Sequence, residues 1–256
     1  MPNENEIKAI FSLLKTEPAH KEKLLKSLAD FYKKDPKYVY ALAIQYYGTL
    51  PPDIVALFQQ EENGIQEEIK KFLNFKNPDL LEGLILIARL INPKASREEI
   101  LSIFNIARED FDKLIDSSFE VSQKAQILQT FFFKTMNFEI VNLSKQISLL
   151  NLPEIFKNLK TTPFVMAVLY LVFIYPYEVK ADIIEADNKI IVRIKDSFSL
   201  EPVYIDIMDK GSFVSESDCD MYAAGNFIKW DSKVLTPMTN RDIFKRLLSN
   251  LLYTTK

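Results

Sequence analysis

The residue types that carry most enzymatic chemistry are scarce in this chain of 256 residues. It has one cysteine, Cys219, and one histidine, His20. A zinc site built from cysteine and histidine needs three or four such ligands, so the sequence predicts no metal centre of that kind. The five glycines form neither a G-x-G-x-x-G pattern nor a phosphate-binding loop, and we expect no cofactor. A mechanism that depends on imidazole would have to use His20 alone.

Composition and charge exclude further classes of protein. The chain is 48% hydrophobic and 26% charged, which is typical of a folded globular protein. Its formal net charge of −3 disfavours a general nucleic-acid-binding role. The most apolar run, residues 164–177, is shorter than the roughly 20 residues that a membrane-spanning helix needs. It predicts a buried helix and no membrane association, and with the single thiol it favours the cytoplasm.

The elements that would position these residues change along the chain. Residues 4–150 predict helix after helix, because apolar residues recur with helical spacing and proline or glycine separates the runs. We expect a short helix after Pro52 and a separate helical segment over residues 65–73. The spacing between breaks has no fixed period, but pairs of short helices are compatible with a degenerate HEAT-like stack. The first apolar stripe consists of Ile7, Ile10, Phe11 and Leu14.

Strand patterns begin after about residue 175. The β-rich segments are residues 177–184, 189–194 and 202–207. A short helix is predicted after Ser215 and a final helix after Thr239. Each of these residues is followed three positions later by an aspartate, Asp218 or Asp242, which is the spacing of a helix cap. Helices first and mixed structure afterwards predict an α+β fold.

Three stretches resemble one family, the transglutaminase-like proteins of the bacterial SirB type. The sequence DLLEGLILIARLINP at 79–93 resembles the first helix of that family, and TTPFVMAVLYL at 161–171 is similar to its G-I-P-x-x-L-A-V-L-Y-L segment. The C-terminal sequences IDIMDKGSFVSESD and LTPMTNRDIFKRLLSN resemble its I-D-P-F-x-x-G turn and closing helix. The resemblance implies a HEAT-like helical region at 1–76 and a degenerate papain/transglutaminase-like domain at 77–256.

The resemblance also implies where a catalytic triad would lie. In active members of the superfamily a cysteine heads the central helix, an imidazole takes its proton, and a carboxylate orients the imidazole. The corresponding positions here are Pro163 for cysteine, Lys189 for histidine and Asp206 for aspartate. Proline has no nucleophile and lysine is protonated at neutral pH. We therefore expect a degenerate triad, and a Lys189–Asp206 ion pair is a hypothesis for what replaces it.

These positions predict a non-catalytic protein that acts by protein–protein interaction or scaffolding, with a protein partner that the sequence does not identify. One alternative is an enzyme of altered chemistry that uses Lys189, Asp206 and Tyr204 as acid or base groups in a remodelled cleft. Another is a helical nucleic-acid-binding module that uses N-terminal lysines, although the near-neutral charge makes nucleic acid an unexpected partner.

Other conspicuous residues have structural interpretations. Thr162 is predicted to cap the helix that begins at Pro163, and Cys219 to be a packed or half-exposed thiol. The three phenylalanines at 131–133 are predicted to lie in the core of a helix over residues 124–136. Trp230 is predicted to cover the sheet.

Overall fold

The computed structural model describes residues 3–142, 145–186, 189–195, 201–224 and 237–254. The chain forms two compact units. The first contains Met1–Asn74 and Asn92–Ser96, and the second contains Phe75–Ile91 and Arg97–Lys256. The α-helices of the described residues are α1 (Glu4–Thr16), α2 (Lys21–Lys34), α3 (Pro36–Tyr47), α4 (Pro52–Asn74), α5 (Leu80–Ile91), α6 (Arg97–Asp112), α7 (Val121–Gln129), α8 (Leu152–Asn158), α9 (Pro163–Ile174), α10 (Glu216–Ala224) and α11 (Asn240–Thr254). The strands are β1 (Glu139–Ile140), β2 (Lys160–Thr161), β3 (Lys180–Ala186), β4 (Lys189–Lys195), β5 (Val203–Asp206) and β6 (Ser212–Val214).

The first unit packs α1 to α4 around one apolar core. Tyr32 of α2 stacks on Phe58 of α4 with ring centroids 4.2 Å apart, and the Tyr47 hydroxyl donates to the Phe11 carbonyl at 2.9 Å. The predicted stripe of α1 supplies Ile7, Ile10 and Phe11 to this core. The first unit is therefore held by the amphipathic faces that the sequence pattern indicates.

Helix α4 differs from the prediction. A short helix after Pro52 and a separate one over residues 65–73 were expected, but Pro52–Asn74 is one continuous helix. Gly64 lies inside it, and a glycine within a helix costs only about 1 kcal/mol relative to alanine. That cost is too small to break a helix whose apolar residues pack against the neighbouring α2.

Helix α9 is the centre of the second unit. All residues from Phe164 to Ile174 are buried, as expected of a helix that is apolar on every side. Thr162 caps it, accepting a hydrogen bond from the Val165 amide at 3.4 Å, and Pro163 lies in its first turn, which confirms the predicted start. No helix in the described ranges is both long and apolar enough to cross a membrane.

Phe131 and Phe132 lie in the core as predicted, but in a different element, and Phe133 is only partly buried. Helix α7 ends at Gln129, and a π-helical turn, Thr130–Thr135, continues the chain. Phe131 and Phe132 are fully buried. Both pack against Phe173 of α9, with ring centroids 5.8 and 5.0 Å apart. The π-helical turn therefore joins α7 to the buried helix through aromatic contacts.

A four-stranded antiparallel sheet in the order β3-β4-β5-β6 accompanies α9. The three predicted strands are present as β3, β4 and β5, and β6 was not predicted. A small parallel pair, β1 and β2, lies elsewhere in the second unit. The chain is thus mostly helical in its first unit and combines helices with small sheets in its second, which agrees with an α+β organisation.

The last two helices begin at the predicted caps. The Ser215 amide donates to Asp218 Oδ2 at 2.8 Å, and the Asp218 amide donates to Ser215 Oγ at 3.2 Å. The Asp242 amide likewise donates to Thr239 Oγ1 at 3.2 Å. The proposed cover of the sheet by Trp230 lies outside the described residues.

Candidate functional site

The strand register brings two of the candidate site residues, Lys189 and Asp206, to one face of the sheet. Ile191 of β4 lies directly opposite Asp206 of β5. Directly opposed residues share a face, and alternate residues along a strand also share a face. Lys189, two residues before Ile191, is therefore a diagonal neighbour of Asp206. That separation is within reach of a long side chain.

The two side chains form an ion pair. Lys189 Nζ donates to Asp206 Oδ2 at 2.7 Å. The Asp206 side chain is fully buried, whereas that of Lys189 is 32% exposed. The other carboxylate oxygen, Oδ1, accepts from the amides of Met208 at 2.9 Å and Asp209 at 3.3 Å. The buried carboxylate is thus bound by one ammonium and two backbone donors, and it holds the β5–β6 turn in place.

The same turn contacts the central helix. The Gly211 amide donates to the Asp206 carbonyl at 2.9 Å, and Lys210 and Gly211 both adopt positive φ, of 50° and 71°. A Cβ at Gly211 would lie 2.7 Å from the Tyr170 hydroxyl oxygen of α9. The turn that Asp206 organises therefore packs closely on the helix that begins at Pro163.

A second ion pair lies on the same face of the sheet. Arg193 Nε and Nη2 donate to the two oxygens of Asp182, each at 2.9 Å. Both side chains are buried. Arg193 is opposite Asp182 on β3 and opposite Tyr204 on β5. This bidentate geometry leaves neither charge uncompensated, which burial would otherwise make very costly.

Cys219 of α10 covers part of this face and is fully buried, which selects the packed thiol of the two predicted alternatives. It is buried in a cluster with Ile184, Ile191 and Tyr204. Burial, and then the nearby carboxylates of Asp218 and others, raise the pKa of the Cys219 thiol to about 12. The thiolate is the nucleophilic form, so this environment disfavours nucleophilic chemistry at neutral pH. Burial also raises the pKa of the Tyr204 hydroxyl.

The other two candidate positions do not join the pair. Pro163 lies in the first turn of α9 and has no side-chain donor or acceptor with which to enter the ion pair. His20 is exposed, in a 3₁₀ segment of the first compact unit, whereas Cys219 belongs to the second unit. Across the described ranges, no group of three or more His, Cys, Asp and Glu residues could hold a metal ion.

The Arg193–Asp182 pair is the feature that sequence reasoning missed. Its signal was present, because Arg193 interrupts the apolar run of β4, IIVRI, at a position where only a satisfied charge is tolerated. The partner was not readable, since Asp182 lies on another strand and is selected by the register.

The second unit thus combines a buried central helix with an antiparallel sheet that carries two ion pairs on one face. Residues 96–249 match the transglutaminase-like superfamily. This match covers more than half of the chain, and the protein belongs to that superfamily. Neither the curated proteins nor the solved structures contain a match to this chain.

Proposed function

We propose that this protein is a non-catalytic member of its superfamily, of the SirB type with a HEAT-like N-terminal region, that acts in the cytoplasm by protein–protein interaction or scaffolding. The observation that carries the proposal is the 2.7 Å contact between Lys189 Nζ and Asp206 Oδ2. It lies at the two positions where the resemblance expects histidine and aspartate.

The chemistry of the pair supports a structural role. A general base must present an unprotonated atom to its substrate, but a lysine ammonium has three donors and no acceptor. Asp206 Oδ2 already accepts from Lys189, and Oδ1 accepts from two amides. Pro163 has no nucleophilic atom, and the raised pKa of Cys219 keeps its thiol protonated.

Exposed apolar side chains on the second unit support a binding role. Ile106 of α6 and Leu252 and Tyr253 of α11 are each more than 60% exposed. Side chains of this kind supply contact area when a partner covers them. Because a fold alone does not confer an activity, surfaces of this kind are where we expect the function to lie.

An activity assay tests the non-catalytic part of the proposal. Purified protein would be assayed for amine incorporation into a glutamine peptide and for ammonia release, with Cys219→Ser as the matched control. We expect no turnover above background in either protein. Turnover that is lost in Cys219→Ser, with the far-UV circular dichroism spectrum unchanged, would refute the proposal.

A binding assay tests the interaction part. We expect a protein captured by the wild-type chain to be retained by Lys189→Met and lost with Ile106→Glu or Leu252→Glu, because the ion pair is structural and the exposed residues form the contact. Capture that depends on Lys189 and ignores both surface substitutions would contradict this assignment.

The alternative of an enzyme with altered chemistry is favoured by one observation, the shared sheet face of Lys189, Asp206 and Tyr204. It predicts a pH-dependent activity that Lys189→Met and Tyr204→Phe both abolish while the protein remains folded. A scan of hydrolase and transferase substrates across pH 5 to 10 would separate the two proposals, since the non-catalytic protein has no such profile.

A further inference from the structure

Helix α6 carries two exposed isoleucines beside the face that it buries. Ile103 is 36% exposed and Ile106 is 63% exposed. Residues three apart on a helix are neighbours on its surface, so the two side chains form one apolar patch. The buried face of the same helix consists of Ile100, Phe104, Ala107 and Phe111. The apolar surface of α6 therefore extends beyond the part that the chain itself covers.

The exposed surface of α6 is organised in two stripes along the helix. Both stripes follow the spacing 4-3-4, which keeps residues in line on one side of a helix. The stripes consist of Glu99, Ile103, Ile106 and Asp110, and of Glu98, Ser102, Asn105 and Glu109. All eight residues are exposed. This surface thus has an uncharged, partly apolar centre between two pairs of carboxylates.

Helix α6 is strongly acidic. It contains two arginines against five carboxylates, a balance of −3, which equals the formal net charge of the whole chain. Both arginines are already paired, Arg97 with Glu82 and Arg108 with Asp112 at 2.7 Å. The carboxylates of the two stripes are therefore not neutralised by the arginines of their own helix.

Helix stability does not explain the carboxylates at the end of α6. The C-terminal end of a helix carries a partial negative charge, which favours cations and disfavours anions. Glu98 and Glu99 in the first turn follow this rule, but the last turn contains no basic residue. Asp110 is bound by Lys113 Nζ at 2.7 Å, whereas in the described ranges Glu109 has no ion-pair or hydrogen-bond partner. The charge of Glu109 is available to another molecule.

We propose that this face of α6 binds a basic amphipathic helix of a partner protein. Apolar side chains of that helix pack on Ile103 and Ile106, and its lysines or arginines contact the carboxylates at the two ends. Binding of an amphipathic helix by an apolar surface is a recurrent mode of recognition, and complementary charge decides which helix binds. The inference rests on the proposed interaction role and adds the chemical class of the partner.

The spacing of the carboxylates defines the partner further. Glu98 and Glu109 are 11 residues apart, as are Glu99 and Asp110, which corresponds to about 16 Å along the helix axis. A helix that lies along α6 therefore needs cations about three turns apart, with apolar residues between them. The negative charge of the same surface repels nucleic acid and anionic membranes.

Two synthetic peptides test the proposal on the full chain. One is an amphipathic helical peptide of leucine and lysine, and in the other glutamate replaces every lysine. Fluorescence anisotropy measures their binding at low salt. We expect the leucine/lysine peptide to bind saturably at about one molecule per chain, and the leucine/glutamate peptide to bind at least tenfold more weakly. Ile106→Ser should weaken binding of the leucine/lysine peptide about fivefold or more, since it removes apolar contact area.

Charge reversal supplies the decisive comparison. Glu98→Lys/Glu109→Lys should reverse the preference, so that the leucine/glutamate peptide binds more tightly than the leucine/lysine peptide. The matched control is Glu216→Lys/Asp220→Lys, which makes the same change in net charge at two exposed residues of α10. This control should keep the wild-type preference. Circular dichroism checks that every variant is folded.

The possible failures of this inference and of the interaction role are distinguishable. No saturable binding of the leucine/lysine peptide to the wild type would overturn the basic helix. An equal change of preference in both charge variants would show that net charge alone attracts the peptide, and would overturn the assignment to α6. Capture of a protein that depends on Ile106 and ignores the reversal of Glu98 and Glu109 would retain the interaction role and overturn the basic partner.

Discussion

The contact between the β5–β6 turn and α9 predicts that Gly211→Ala is strongly destabilising. Gly211 has a φ of +71°, a left-handed conformation that costs a residue with a Cβ roughly 1 kcal/mol or more. The added Cβ would also lie 2.7 Å from the Tyr170 hydroxyl oxygen and 3.0 Å from Phe133 Cε2. Overpacking of a tight site costs typically about 1–3 kcal/mol, so we expect a total loss of about 3 kcal/mol.

Two other glycines provide matched controls. Gly48 also has a φ of +71°, with a ψ of −61°, and a Cβ there meets nothing within 4 Å, so Gly48→Ala should cost about 1–3 kcal/mol from backbone strain alone. Gly64 lies within α4, again with open space around its Cβ position. Gly64→Ala should stabilise the protein by about 0.5–1 kcal/mol. The three substitutions are chemically identical, and only their surroundings differ.

A double-mutant cycle isolates the close contact. The Tyr170 hydroxyl is buried and has no hydrogen-bond partner in the described part of the chain, so Tyr170→Phe should be neutral or stabilising. It removes the oxygen that a Cβ at Gly211 would meet. In the Tyr170→Phe background, Gly211→Ala should therefore cost at least about 1 kcal/mol less than in the wild type.

Urea unfolding followed by far-UV circular dichroism gives the free energy of unfolding of each variant, and near-equal m-values would show that the unfolded states are comparable. Additivity of Gly211→Ala with Tyr170→Phe would refute the reasoning, because the cycle isolates the close contact from the backbone conformation.

Three further predictions follow from the ion pairs and the thiol. Arg193→Met should cost about 3–5 kcal/mol in urea unfolding, because it leaves the Asp182 carboxylate buried without its partner, and adding Asp182→Leu should restore most of the loss. Cys219, with its pKa raised to about 12, should react with a disulfide reagent at pH 7 only as the protein opens, so that urea accelerates the reaction manyfold; fast labelling of the folded chain would contradict its burial. Burial alone would raise the pKa of the Asp53 carboxyl, but the Lys21 ammonium at 2.9 Å and backbone amides lower its net pKa. The stabilisation is therefore present above the pKa of Asp53 in the unfolded chain and is lost as pH falls through its pKa in the folded protein. Asp53→Asn should flatten the acid-induced loss of stability below about pH 4, and an unchanged pH dependence would exclude a role for this pair.

Local sequence signals predicted the parts of the fold that depend on neighbouring residues. Helix α5 begins at Leu80, where Asp79 Oδ1 accepts from the Glu82 amide at 3.1 Å, and it ends at Ile91, directly before Asn92-Pro93. The caps at Thr162, Ser215 and Thr239 are contacts between residues three apart. Such signals are readable because both partners lie within a single turn of the chain.

Signals that depend on packing were weaker. Helix α4 was predicted as two segments, but it is continuous over Pro52–Asn74, and its apolar residues pack against α2. The strand β6 is only three residues long, and its place in the sheet is decided by pairing with β5. A strand of that length has no pattern of its own.

The sequence by itself determined that chemistry based on several cysteine and histidine residues has too few of them, because the chain has one cysteine and one histidine. It also indicated that Lys189 and Asp206 were candidates for one site. Only the tertiary structure brought those two side chains to 2.7 Å and matched Arg193 with Asp182. Each of these contacts depends on strand register, and a shift of one residue would turn every side chain to the opposite face. Register is decided by the packing of the whole unit, which no local stretch of sequence contains.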